Sequence, residues 1–272
     1  MIDFPLARQR FYQEIQQPQD QLDLGKAALY LAQEEYPTLE IDYYLNILDT
    51  MAAEVAEQLP ESRYPLKIVQ TINQYLYEEL GFYGNQKDYY NPRNSFLNDV
   101  LERRTGIPIT LSLVYLEVAK RLDFPMVGIG MPGHFLIRPE FEGVGIFVDA
   151  FNQGETLFEQ DCEELLQKIY HPSAQLDPRF LEAVSKSRFL ARMLSNLKAI
   201  YLNKQDFKKA IGAIDRILML FPDNAMELRD RGLLLYQLDE WTRAIPDLES
   251  YLEKAPHAQD VPAIRQLLAK MS

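Results

Sequence analysis

The chain has 272 residues, with 28 lysines and arginines against 40 aspartates and glutamates and a formal net charge of -12. That length can bury a substantial core, and 47% hydrophobic with 25% charged residues marks a globular chain, not a disordered or fibrous one. The acid is concentrated: residues 1–180 hold 14 basic and 28 acidic side chains, residues 181–272 hold 14 and 12. A first part so acidic repels phosphates, which argues against nucleic acid as a partner and leaves a basic peptide or protein open.

Cys162 is the one cysteine, so no intramolecular disulfide forms and a reducing compartment fits. The N-terminal MIDFPLARQRFYQEI lacks the apolar run of a signal peptide, and no stretch approaches the roughly 18 apolar residues of a membrane span. A cytoplasmic location with no membrane partner is expected.

In chain order, residues 3–17 read as a short helix or arm anchored by Phe4, Leu6, Phe11 and Ile15. Helical spacing of apolar residues predicts helices over 23–35, about 40–59 and 64–79, so the first 80 residues form a helical layer. Gly81 to Asn94 is rich in Gly, Tyr and Asn and reads as an irregular loop, with Tyr89 and Asn91 lining a cleft. A helix from Phe96 then directs Asn98, Glu102 and Arg104 toward the segment that follows. Arg103 and Arg104 suit an ion pair with acidic neighbours or an anionic ligand.

That segment is RTGIPITLSLVYLEVAKRLDFPMVGIGMPGHFLIRP, followed by GVGIFVDAFNQG. Gly106 and Pro108 break the chain before Thr110, which is placed to cap a helix running to Leu122. Val127 to Gly130 reads as a strand, His134 opens a second through Ile137, and Gly145 to Asp149 gives a third ending on a carboxylate. His134 and Asp149 then face each other across adjacent antiparallel strands, the arrangement by which a carboxylate holds an imidazole in one tautomer.

A helix start presenting a nucleophile, a strand opening Gly-His and a strand ending in Asp resemble the transglutaminase-like, papain-like fold. EEYPTLEIDYYLNILDTMAAEV at 34–55, YYNPRNSFLNDVLERRTGIPITLSLVYLEVAKRL at 89–122 and GMPGHFLIRP at 130–139 are similar to bacterial transglutaminase-like proteins with a C-terminal tetratricopeptide tail, a family named after an invasion regulator of enteric bacteria. The resemblance covers nearly the whole chain. It implies a catalytic cysteine at about Pro108 or Ile109, and neither residue carries a nucleophile, so cysteine-dependent acyl transfer is disfavoured.

Thr110 and Ser112 are the nearest hydroxyls, Thr110 also reading as a cap, and Asn152 joins the cleft-lining set. Cys162, in DCEELLQKI, reads as a partly exposed, incidental thiol. A metal site on His134 and Asp149 would need His171 or Glu102 as a third ligand, and no histidine shows ligand spacing, so neither metal nor cofactor is expected. Helix is expected over 155–182, with Phe158, Leu165, Leu166 and Ile169 buried.

From Ala191 the sequence superimposes on itself at a shift of 34: Asp206-Phe207 falls on Glu240-Trp241, Ala210-Ile211 on Ala244-Ile245 and Pro222 on Pro256. This period resembles tetratricopeptide repeats, pairs of antiparallel helices whose small residues allow close crossing. Lys198 stands where Gly232 stands in the other repeat, and Lys198, Lys204, Arg229 and Arg231 suit a basic patch for acidic peptide ends.

The expected fold is α+β: residues 1–182 a transglutaminase-like domain with a helical N-terminal layer, residues 183–272 tetratricopeptide-like repeats. The expected function is a non-catalytic protein-binding, scaffold or regulatory role with a protein or peptide partner. The alternative is an acyl-transfer or hydrolytic enzyme using His134 and Asp149 with a non-cysteine nucleophile. Oligomeric state is not legible, since the same apolar helix faces close a core or a dimer.

Overall fold

The computed structural model describes residues 5–141 and 145–271 and divides the chain into two compact units, Met1–Leu190 and Ala191–Ser272. The expected α+β architecture holds, with a helical and transglutaminase-like region first and a tetratricopeptide-type region after it.

In the first unit, α1 (Leu6–Ile15), α2 (Leu24–Glu35), α3 (Ile41–Gln58) and α4 (Pro65–Asn73) form the predicted helical layer. Phe11 and Ile15 anchor α1 as expected, but Leu6 is 61% exposed and Ala7 takes the buried place; Phe4 lies outside the described residues. Asp23 caps α2 by accepting the Lys26 N–H at 2.9 Å. After α4 the chain continues as π-helical turns over Gln74–Glu79, which shifts the register of Tyr75 and Tyr77.

Strand β1 (Tyr83–Gly84) pairs in parallel with β2 (Thr105–Gly106), and α5 (Leu97–Arg103) lies between them in sequence. Asn94, fully buried, organises the loop before α5: its Nδ2 donates to the Asp88 and Tyr89 carbonyls at 2.7 and 3.2 Å, and its own carbonyl accepts from Thr110.

Helix α6 (Pro108–Arg121) is the axis of the unit. Every residue from Pro108 to Ala119 is buried, as a helix apolar on all sides requires. It packs against α2, α3, α4 and α5 on one side and the sheet on the other. Its buried Glu117 is neutralised by Arg121 at 2.6 Å and accepts the Gly25 N–H at 3.1 Å. Pro108 occupies the first helical position, where its missing N–H costs nothing. The helix therefore begins two residues before Thr110, which sits one turn in and accepts the Ile107 N–H at 3.1 Å from there.

The sheet is antiparallel in the order β3 (Met126–Ile129), β4 (Leu136–Pro139), β5 (Phe147–Asp149), β6 (Glu155–Leu157). Ile137 pairs with Val148, so Asp149 sits at the end of a strand next to β4. His134 precedes β4 in a turn, its N–H bonded to the Met131 carbonyl at 3.2 Å, instead of opening the strand. β6 is a strand where helix was expected; α7 (Glu159–Ile169) follows it. Leu166 is buried, but Phe158 and Ile169 are 59% and 39% exposed, contrary to expectation.

The helix α8 (Lys186–Asn203) carries the division between Leu190 and Ala191. In the second unit α9 (Phe207–Leu220), α10 (Ala225–Gln237), α11 (Trp241–Lys254) and α12 (Val261–Met271) follow. Ala210 and Ala244 are fully buried, as close helix crossing demands. Gly232 meets Leu248 so closely that a Cβ would lie 2.7 Å from it. The expected basic patch is not free: Lys198 holds Glu227 and Asp230 at 2.7 Å each, Arg229 holds Asp230 and Asp260, and Arg231 holds Asp215 and Asp247. These cations are neutralised within the unit, which removes three of the four proposed anchors for an acidic peptide.

At Gly84 a Cβ would stand 2.5 Å from the Phe151 ring and 2.6 Å from its carbonyl oxygen. Gly84→Ala is expected to destabilise the chain by about 1–3 kcal/mol in urea denaturation. An unchanged midpoint would show that β1 and Phe151 separate freely.

Candidate functional site

The site grows from the end of β5. Asp149 is the last strand residue, only 1% exposed, and its carboxylate caps the 3-10 turn Ala150–Asn152 by accepting the Phe151 and Asn152 N–H groups at 3.0 and 3.2 Å. Its other oxygen takes the Asn152 Nδ2 and the His134 Nε2, each at 2.8 Å. Burial alone would raise the Asp149 carboxyl's pKa. The hydrogen bond and charge of His134, with the Asn152 donors, outweigh it and hold the pKa below the ordinary value.

His134 is 8% exposed and edge-on to the Phe151 ring, which Tyr89 meets in the same way. A neutral imidazole donating from Nε2 keeps its lone pair on Nδ1, the nitrogen that would serve as a base. The hydroxyl of the half-buried Tyr77 is itself buried and lies within the field of Asp149; burial first, then that carboxylate, pushes its pKa upward. Ile169 and the exposed Tyr170 close over Gly133, just before the imidazole.

The helix α6 packs against the turn Ala150–Asn152. Its first two residues, Pro108 and Ile109, are both buried and both without a nucleophilic atom. The Thr110 hydroxyl donates to the Asn94 carbonyl at 2.7 Å and accepts from Ile107, so it is a structural brace for the loop and not bonded to His134. Ser112 is fully buried, and its Oγ has no hydrogen-bond partner among the described residues.

Cys162 corrects the sequence reading in its burial. It is fully buried with Ile129, Met131, Leu136, Phe147 and Leu157, not partly exposed. Burial, with Asp161, Glu159 and Asp149 nearby, pushes its thiol up to about 12, the wrong direction for a nucleophile.

The residues expected to line one cleft are dispersed. Tyr89 and Asn152 belong to the His134 surroundings. Asn91 instead caps the turn Pro92–Asn94 and bonds Asp88. Arg104 donates to the Leu80 carbonyl at 2.7 Å and Arg103 to Asn94, in place of the expected ion pairs. Asn98 and Glu102 line a separate cavity. His171 bonds Ser173 and Glu102 accepts from Tyr44, and among the described residues no group of three or more His, Cys, Asp or Glu is placed to hold a metal ion. Asn94, Tyr77 and Phe151 carried no motif that singled them out in sequence.

Residues 42–195 match the transglutaminase-like superfamily and residues 197–269 match the tetratricopeptide repeat. The chain belongs to the transglutaminase-like superfamily, in the bacterial form in which that domain is followed by a tetratricopeptide domain. It is 37% identical over 259 residues to a UPF0162 protein of Xylella fastidiosa, spanning 92% of this chain and 90% of that one. A UPF0162 protein of Vibrio cholerae is 30% identical over 88% of each chain. F-box only protein 21 of Homo sapiens is 33% identical over 186 residues, 64% of this chain and 29% of that protein. No solved structure matches the chain. Among the described residues no helix is long and apolar enough to cross a membrane.

A carboxyl with a depressed folded pKa contributes stability above its unfolded value near about 4, lost as pH falls through the folded value. Asp149→Asn is therefore expected to cost about 2–4 kcal/mol at neutral pH, the gap to the natural chain narrowing in urea melts below about pH 4. A gap independent of pH would contradict the carboxylate's role. The Cys162 thiol is expected to resist an aromatic disulfide reagent in the folded chain and to react once per chain in denaturant; fast native reaction would contradict its burial.

Proposed function

We propose that the chain is a non-catalytic binding protein: a degenerate transglutaminase-like domain that retains an imidazole-carboxylate pair without a nucleophile, fused to a tetratricopeptide domain that engages protein. The observation that carries this reading is the start of α6, where the superfamily's thiol would stand and Pro108 and Ile109 stand instead. Thiolate chemistry has no second source, because Cys162 is sealed among apolar side chains. The hydroxyl alternative is weakened by Thr110, committed to Asn94, and by Ser112, whose oxygen has no partner among the described residues to take its proton.

The tetratricopeptide match supports a protein partner, and the similarity to F-box only protein 21, where a like domain fills under a third of the chain, supports a module used inside larger proteins. A regulatory role, as the resemblance to an invasion-regulator family suggests, is the finer form of this reading. The His134-Asp149 bond survives in it as a structural brace tying the turn after Gly133 to the end of β5.

Peptide amides with an amine acceptor, or a peptide ester in water, are expected to give the same rate with the natural chain, with His134→Ala and with buffer. Turnover that the substitution abolishes would overturn the non-catalytic reading.

A further inference from the structure

A cavity of about 490 Å³ opens between α3, α5 and the segment after α2, away from the His134-Asp149 pair in its lining. Its walls carry three carboxylates, Glu40, Asp99 and Glu102, against one guanidinium, Arg93. Two of the carboxylates are fixed by tyrosine hydroxyls: Tyr36 donates to Asp99 at 2.5 Å, and Tyr44 donates to Glu102 Oε1. Arg93, half-exposed, lays its Nε 2.6 Å from the buried Asp99 carboxylate. The chain thus already shows this wall accepting a guanidinium.

Two polar groups remain open. Glu102 Oε2 has no hydrogen bond among the described residues. Asn98, one helical turn before Glu102 on α5, is 4% exposed, lines the cavity and makes no side-chain hydrogen bond among the described residues. A buried amide left unpaired is a group awaiting a partner, and its orientation can present either end. An acceptor fork with net negative charge selects a planar, multiply donating cation over an anion or a neutral group.

We infer that this cavity binds the guanidinium of an arginine in an extended segment of a partner protein, held by Glu102 and Asn98 beside Arg93. The acidic balance of residues 1–180 draws such a segment in. The site goes beyond the binding reading above and stands on the first unit alone, so its failure leaves the tetratricopeptide domain's role untouched.

Amide and side-chain resonances of the full chain are followed by NMR while acetyl-Gly-Arg-Gly-amide is added, with the citrulline analogue and free arginine as parallel arms. The tripeptide is expected to shift the Asn98 side-chain amide and the Arg93 Nε–H saturably, citrulline to shift neither, and free arginine to bind no more tightly than the peptide. Glu102→Gln, at an exposed position that folding tolerates, is expected to weaken binding about tenfold or more, whereas Glu57→Gln on the exposed side of α3 leaves it unchanged. Equal shifts with citrulline, equal loss with Glu57→Gln, tighter binding of free arginine, or no saturable shift at Asn98 would each overturn the inference.

Discussion

The carboxylate of Asp149 is the fixed point of the first unit's site. Four donors converge on its two oxygens: two backbone N–H groups of the turn that follows, the Asn152 amide and the His134 imidazole. A buried charge is tolerable only when its lone pairs are filled, and here they are. That saturation orients the turn Ala150–Asn152, places Phe151 against Gly84 and His134, and so couples the sheet to the loop carrying Tyr89. The pair holds the imidazole by its Nε2, and the first two residues of α6, Pro108 and Ile109, carry no nucleophilic atom.

Much of this was legible in the sequence because the decisive signals were local. The mostly apolar run ITLSLVYLEVA after Gly106 and Pro108 marked α6 as a helix, and the spacing of His134 and Asp149 around two short strands marked them as neighbours. Local pattern failed where a long-range partner decided the outcome. Three residues of β6 carry too short an alternation to compete with the helix after them. Cys162 looked exposed because its flanking residues are acidic, yet those residues lie on the solvent side of an amphipathic helix whose other side faces the sheet. Thr110 was legible as a capping residue, since its hydroxyl accepts the Ile107 N–H at the helix start, but the Asn94 carbonyl, 16 residues away, to which the same hydroxyl donates, was not.

The second unit shows the same limit in its charges. Arg231 reads as a free cation in sequence, and its two acids lie 16 residues away on either side, on the neighbouring helices α9 and α11. Together they push its guanidinium pKa further up despite burial, so the cation is permanent and committed. Lys198, Arg229 and Arg231 are all committed in this way to acids of the same unit. In the inference drawn above, recognition of a basic partner falls to the acidic first unit, where tyrosine hydroxyls hold the Asp99 and Glu102 carboxylates.

The most direct measurement of the central claim is the protonation of the His134 ring, read by long-range nitrogen-proton correlation on labelled protein near neutral pH. A carboxylate saturated as described requires a proton on the Nε2 that faces it, and that is the expected result. A proton found on Nδ1 alone would mean that Asp149 does not hold the imidazole, and the account of this site would fall with it.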